Sequence, residues 1–383
     1  MRIDLVITEL FVGGAEKCLT ELALFMHSMG HEVRVFSLAS LPYGEQRQLV
    51  ERLEKEGIQV ESADCDSVWQ AWKAYRFLKK RFQEGRPDLV QTFLHHANIL
   101  GIHAARAANV TKCVAGIRVA QHGQRRNYIE RLALKRVDHL FCVSRAVEQF
   151  AHQVLHCNPS KTTVIPNGVD LERFTNVSRH SWSDLGWSTD AKVILFLGRL
   201  DPQKGLELLQ EQVDRVAPAD SDQKLLIIGD GPLREAVQAW TEQIGAERVK
   251  LLPWQSDVAS WIASCELLVL PSRFEGMPNV ILEAMASGKP VVCSLVEGTE
   301  ELLDETSKWQ GFSPGHGSQM ADRIQNLMEQ PEIGRKIGEQ NRERVASGFS
   351  LPLLMERYEK VYRCILGDEP QSSAKEPATD TSR

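Results

Sequence analysis

Apolar residues along this chain follow two rhythms, short unbroken runs and longer stretches with helical spacing. Residues 2–7 (RIDLVI) form the first short run and read as a parallel strand buried on both faces. The pair Gly13-Gly14 makes a turn. A helical pattern follows, with Ala15, Cys18, Leu22, Phe25, Met26 and Met29 near one face and Gly30 at its close. Further strands are predicted at residues 31–38, 88–93, 112–117, 139–144 and 162–167. Pro166-Asn167-Gly168 is a strong turn signal, and the polar stretch over 168–188 reads as a linker. The pattern then restarts with strands at 193–198, 224–229, 248–253, 266–271 and 290–294. Strands alternating with helices imply parallel pairing with helices on both faces, so two successive α/β units are predicted. Residues 317–347 read as helical, Pro352 to Leu366 as an amphipathic helix, and the tail after it, without a large apolar residue, as disordered. The expected division is 1–168, 169–350, a crossover helix at 351–366 and a tail at 367–383.

Composition narrows the function classes. A chain of 383 residues suits two cores better than one. A formal charge of −6 argues against a general nucleic-acid binder, which needs a basic surface to displace counterions. Eight scattered cysteines without a C-x-x-C pair, several in apolar runs, read as buried free thiols of a reducing compartment. The opening MRIDLVITEL has no charged leader or cleavage site, and no apolar run approaches the ~20 residues of a spanning helix. A cytoplasmic location is expected, at the inner face of the membrane if a partner carries it there.

In open parallel sheets, ligands bind beyond the carboxyl ends of the strands. The first strand delivers Gly13 and Gly14 ahead of a helix, where backbone N–H groups can face an anion; a plain turn is the other reading. The strand at 193–198 delivers Arg199 and, five residues on, Lys204, two cations suited to a diphosphate, with Gly205 freeing the backbone as the next helix begins. Beyond the strand at 266–271 lies PSRFEGMPNVILEAMASGKPVVCS. There Glu275 sits in a Gly/Pro loop, Asn279 is placed to cap the following helix, and Glu283 lies one turn into it. Carboxylates accept hydroxyl hydrogen bonds in pairs, so Glu275 suits a hexose and Glu283 a ribose diol, while the helix dipole favours a departing phosphate.

Together GGAE (13–16), VIPNGVD (164–170), FLGRLDPQKG (196–205), IIGDGPLRE (227–235) and FEGMPNVILEAMASGKPVV (274–292) resemble glycosyltransferase family 4, over nearly the whole chain except its tail. The resemblance implies a retaining enzyme of GT-B fold, with two Rossmann-like domains facing across a cleft and the last helix crossing back. It implies that Gly13 and Gly14 face the donor phosphates, that Arg199 and Lys204 hold the diphosphate, and that Gly276, Met277 and Pro278 contact sugar and phosphate. Glu275 and Glu283 match the family's paired glutamates.

One departure stands out. Many relatives place a histidine after the fourth strand, where this chain has VAGIRVAQH with Arg118 at the matching position. Arginine stays protonated and cannot act as a base, so Arg118 is expected to stabilise phosphate or orient acceptor. His96 in TFLHHANILG matches another frequent histidine of the first domain. Competing motifs are weaker. Gly229-Asp-Gly231 begins like a dinucleotide fingerprint, but Arg234 replaces its third glycine. Asp64-Cys65-Asp66 and Asp220-Ser-Asp222 read as acidic loops, and with Arg199 and Lys204 available no metal is expected.

Two segments could meet an anionic surface. Arg118 to Arg136 is locally basic, a solvated helix face or an attractor for a phosphorylated lipid. In WQAWKAYRFLKKRF, Val68, Trp72, Tyr75, Leu78 and Phe82 share a helical stripe expected in the core, leaving Trp69, Lys73, Arg76 and Lys80 outside. The sequence thus reads as a metal-independent enzyme without cofactor. It would move a hexosyl group from a nucleotide-diphosphate sugar, UDP-linked by family frequency, to a glycan or lipid-linked acceptor of cell-surface polysaccharide synthesis. Base recognition is placed near Pro253 and Trp254. The alternatives are a nucleotide-sugar epimerase or hydrolase on the same fold, and a non-catalytic nucleotide-sugar-binding protein.

Overall fold

The computed structural model describes residues 1–120 and 123–368. The disorder expected of the tail falls on residues that, from 369 onward, lie outside them. The chain forms two compact units, Asn167–Leu351 and Met1–Pro166 together with the helix from Pro352.

The first unit holds seven parallel strands, β1 (Arg2–Ile7), β2 (Glu32–Ser37), β3 (Gln59–Ser62), β4 (Leu89–Phe93), β5 (Lys112–Ile117), β6 (His139–Cys142) and β7 (Thr162–Val164), in the order β3-β2-β1-β4-β5-β6-β7. Helices α1 (Gly14–Ser28), α2 (Gln48–Lys55), α3 (Ala71–Gly85), α4 (His95–Ala107), α5 (Gln124–Leu134) and α6 (Arg145–Gln153) connect them. Central β1 and β4 are buried along nearly their whole length, which is why they read as unbroken apolar runs. Edge strand β3, QVES, is half-buried, and its pairing comes from β2 and not from its own apolar content, so no strand signal marks it.

The second unit repeats the plan with β8 (Lys192–Leu197), β9 (Gln223–Ile228), β10 (Val249–Leu252), β11 (Leu267–Leu270), β12 (Val291–Ser294) and β13 (Gly311–Phe312), ordered β10-β9-β8-β11-β12-β13. Its helices are α7 (Leu206–Glu211), α8 (Val213–Val216), α9 (Arg234–Ile244), α10 (Val258–Ser264), α11 (Asn279–Ala286), α12 (Glu297–Leu303), α13 (Ser307–Gln310), α14 (Gly317–Glu329) and α15 (Pro331–Gly348). The helical stretch expected over 317–347 is thus two helices, because Pro331 starts the second at its first turn.

The last helix, α16 (Leu351–Leu366), packs on the first unit. Tyr358 and Tyr362 are fully buried there, the first against Phe141 of β6, and the Tyr362 hydroxyl donates to Gln91 Oε1 of β4. Six of the eight cysteines are buried and all are free; burial pushes the thiols of Cys113, Cys265 and Cys293 up to about 12.

Three expectations need correction. Met29, expected on the inner face of α1, is 49% exposed past the end of the helix. Val68 and Trp72, expected in the core, are 78% and 63% exposed. Only Ala74, Leu78 and Phe82 of α3 are buried, since residues 68–70 form a separate 3-10 turn that takes Val68 off the helical register.

Candidate functional site

The second unit assembles a cluster from three strand ends. After β8, Asp201 accepts the Gln203 N–H and caps a short turn that carries Lys204. Gly205 follows at φ +64, and a Cβ there would lie 2.1 Å from the Pro271 carbonyl. Only glycine allows the Lys204 loop to lie so close to the end of β11. Two further bonds lace the loops together: Arg273 N–H donates to the Gln203 carbonyl at 2.7 Å, and the Gln203 amide donates to the Phe274 carbonyl at 2.8 Å.

These ties bring Lys204 Nζ to 2.5 Å from Glu275 Oε1, which also accepts from the Ser272 hydroxyl at 2.7 Å. Glu275 is only 6% exposed, and its own N–H donates to Glu297 Oε2 at 3.0 Å. An ion pair this buried is costly to break from one side, about 3–5 kcal/mol, because the remaining charge stays unsolvated. Gly298 of α12 fits against the loop, since a Cβ there would lie 2.0 Å from the Gly276 carbonyl. The Asn167 amide donates to the Met277 carbonyl at 2.8 Å and fixes the next turn of the loop.

Helix α11 starts at Asn279 with Pro278 as N-cap and no side-chain cap bond, so Asn279 does not cap it as expected. The proline's extended conformation already ends the loop one residue earlier. Glu283, 6% exposed, lies one turn in. Lys204, Glu275, Gly276, Met277, Pro278 and the start of α11 are therefore one continuous assembly. Arg199, at the end of β8, is exposed, and among the described residues its guanidinium has no hydrogen-bond or ion-pair partner.

In the first unit, Gly13 is the N-cap of α1, with no side-chain cap from Gly13 itself. The Glu16 carboxylate folds back onto the N–H groups of Ala15 and Glu16, leaving 2.3 Å between Glu16 Oε2 and a Cβ at Gly13. The helix terminus that the sequence assigned to an anion is thus occupied by the protein's own carboxyl group. Burial pushes the Glu16 carboxyl up to about 7, and nearby Glu9 adds to the shift while Arg118 opposes it.

His96 and Arg118 line one cavity of about 230 Å³ with His95, Arg126 and Glu130. Glu130 Oε2 meets His95 Nδ1 at 2.8 Å and Oε1 accepts from the Asn98 amide at 3.0 Å. Burial would raise the Glu130 carboxyl, but these two bonds hold it below its usual value. Burial, with the charges of His95 and Arg126, lowers His96. Arg118, at the end of β5, is 8% exposed and bonds to Tyr358 of α16 and Cys18 of α1.

The competing motifs have structural explanations. At Gly229 and Gly231 a Cβ would lie 1.9 Å from the Gly198 carbonyl and 2.5 Å from the Leu200 carbonyl. These glycines let two loops of the second unit touch, which accounts for them without a dinucleotide. Asp66 accepts from Ser40 and Asp64 from Ser62, as loop acids do.

Sequence reasoning missed Ser272, Glu297, Asn167, Glu16 and the His95–Glu130 pair. Asking what each strand delivers at its carboxyl end would have found Glu297, three residues beyond β12, and His95, two beyond β4. The same question reaches Asn167, three residues beyond β7, but Glu130 lies within α5 and carries no such signal.

Residues 12–173 match the family described as Glycosyltransferase Family 4, and residues 191–330 the one described as Glycosyl transferases group 1. The chain is 30% identical over 253 residues to the UDP-Gal:alpha-D-GlcNAc-diphosphoundecaprenol alpha-1,3-galactosyltransferase of Escherichia coli, covering 62% of this chain and 64% of that one. It is 27% identical to the N-acetyl-alpha-D-glucosaminyl L-malate synthase of Bacillus anthracis, over 63% of this chain and 64% of that one. These matches span just under two thirds of the two relatives. Among solved structures, Anabaena Alr3699/HepE in complex with UDP-glucose superposes with a TM-score of 0.81 at 22% identity, covering 94% of this chain and 99% of that one. Sucrose-phosphate synthase of Thermosynechococcus elongatus gives 0.77 at 20% identity, over 96% and 100%. At such identities the likeness is one of fold, and the fold is GT-B.

Proposed function

The chain belongs to glycosyltransferase family 4, and from that premise we propose that it transfers a hexosyl group, with retention, from a UDP-sugar to a hydroxyl of a glycan or lipid-linked acceptor. The observation that carries this reading is the buried contact of Lys204 with Glu275 at the loop leading into α11. A cation of the kind that suits phosphate, a carboxylate of the kind that suits sugar hydroxyls and a helix start without a side-chain cap lie in one assembly, which supports the reading.

In this reading, Lys204 exchanges Glu275 for the arriving diphosphate, and the freed carboxylate oxygen takes hydroxyls of the hexose. Arg199 adds a second cation, while Glu283 holds the ribose. Gly276, Met277, Pro278 and Asn279 line the sugar and phosphates, and Trp254, beyond β10, is assigned to the base. In the first unit, Gly13 and Gly14 are the phosphate-facing loop, and His96 and Arg118 belong to the acceptor. The bond from the anomeric carbon to the diphosphate oxygen breaks through an oxocarbenium-like state. The acceptor hydroxyl attacks from the same face, and its proton passes to the departing phosphate oxygen. Lys204, Arg199 and the dipole of α11 stabilise that developing charge, so no metal is required.

The setting is cell-surface polysaccharide synthesis on the cytoplasmic side, with the protein a peripheral partner of an anionic membrane. No helix among the described residues is long and apolar enough to cross a membrane.

The test is a screen of nucleotide sugars by thermal shift, followed by nucleotide release with and without candidate acceptors. Stabilisation by UDP-hexoses and acceptor-dependent release are expected. Fast turnover without acceptor would favour an epimerase or hydrolase, and binding without turnover a non-catalytic protein.

A further inference from the structure

The tryptophans that the sequence pattern divides between core and surface are both in solvent. Trp69 is 92% exposed and Trp72 63%, and Val68 beside them is exposed as well. Trp72 lies three residues before Tyr75, on the same side of α3, and the Arg76 guanidinium sits 5.7 Å from its ring centre. On α5, Tyr128, Ile129 and Leu132 are 63%, 49% and 43% exposed. Between them lies α4, and the three neighbouring helices line an open surface groove of about 660 Å³. Tyr75, Ile99, Leu100, Ile129 and Leu132 form its apolar walls, with Arg136 on its lining. That volume is in the range of pockets that hold small organic ligands, roughly 300–1,000 Å³.

Charge accompanies this apolar surface. Helix α3 carries Lys73, Arg76, Lys79, Lys80 and Arg81; Arg81 is paired with Glu61 of β3 and with Glu84, which also lies near Lys80, and Lys73, Arg76 and Lys79 have no ion pair among the described residues. Residues 124–136 carry Arg125, Arg126, Arg131, Lys135 and Arg136 against Glu130 alone, and that acid is buried with His95. A chain of formal charge −6 has therefore gathered cations around its exposed aromatics. A purely solvated face would need no tryptophans, and a protein-protein core is depleted in lysine. Aromatic rings between cations are the composition that lies in a bilayer interface, rings at headgroup depth and cations on anionic lipid.

We propose that the face built from α3, α4 and α5 docks on an anionic bilayer, with the groove between these helices receiving a hydrocarbon chain drawn from it. The proposal deepens the reading of a lipid-linked acceptor and rests on that reading for its purpose, while the surface stands on its own geometry.

Flotation of the full chain, without nucleotide or acceptor, with phosphatidylglycerol-containing vesicles against phosphatidylcholine alone tests it. Salt-sensitive binding to the anionic vesicles only is expected, lowered about ten-fold by Trp69→Ser with Trp72→Ser, and likewise by Arg76→Glu with Lys80→Glu. Brominated lipid chains should quench tryptophan fluorescence, and Trp69→Phe with Trp72→Phe should remove that quenching. Ile129→Gln with Leu132→Gln, at exposed positions, should weaken retention with the melting temperature unchanged. Absence of flotation, or flotation indifferent to all these variants, overturns the proposal, as does self-association through this face without vesicle binding. Glu275→Gln should float like the parent. If vesicles bind but no nucleotide sugar is turned over, the transfer reading falls and the surface stands; turnover without vesicle binding gives the reverse.

Discussion

At the scale of single residues, Lys204 and Glu275 neutralise one another in a nearly closed environment, each side chain under one-fifth exposed. In the proposed mechanism this contact holds the carboxylate in place until a diphosphate competes for the lysine. Lys204→Ala and Glu275→Ala should each lower kcat by about 10²-fold or more, the scale of lost transition-state stabilisation, read as nucleotide release at saturating donor. Near-normal turnover in both would remove them from the reaction. Glu16 makes a different prediction. Its carboxyl is raised from 4.5 to about 7, so the folded state holds a proton that the unfolded state releases. Stability from this group is therefore full below about pH 4.5 and falls as pH rises through about 7. Glu16→Gln should match the parent near pH 4.5 and exceed it at pH 8, by up to about 3 kcal/mol. Urea denaturation at both pH values checks this, and a gap that widens towards acid would contradict the assigned cause.

At the scale of elements, close backbone approaches hold the cluster in shape. Gly205 and Gly298 press against the Pro271 and Gly276 carbonyls, one on each side of the Glu275 loop. Gly298→Ala should cost about 1–3 kcal/mol by forcing the loop away from α12, with a lowered urea midpoint and weaker donor binding together. The two parallel sheets were legible in outline because strands buried on both faces must be apolar throughout. Strands β3 and β13 were not, since β3 (QVES) carries a single apolar residue and β13 has only two residues. The cap of α11 was misplaced for a local reason. Asn279 is a good capping residue, but Pro278 before it already has the cap conformation.

At the scale of the molecule, the final helix completes the first unit, which depends on residues separated by almost the whole chain. Tyr362 reaches Gln91 across 271 positions, and Tyr358 lies against Phe141 and Arg118. Tyr362→Phe should cost about 1–3 kcal/mol, because it leaves the buried Gln91 carbonyl without its donor. Chemical denaturation measures this, and a neutral effect would mean that the contact is replaced by water. The folding of the first unit therefore depends on residues synthesised after the second.

What the sequence determined by itself was the architecture of alternating strands and helices, the division into two units and the residue types at the strand ends. Burial periodicity and turn chemistry act over a few residues and leave their mark locally. Only the tertiary structure decided which charges meet. The Lys204–Glu275 pair spans 71 positions and the Asn167–Met277 bond 110, distances over which no periodicity carries information. It also decided which apolar residues stay wet. The helical stripe through Trp72 is the same whether or not a neighbour covers it, and at that end of α3 none among the described residues does.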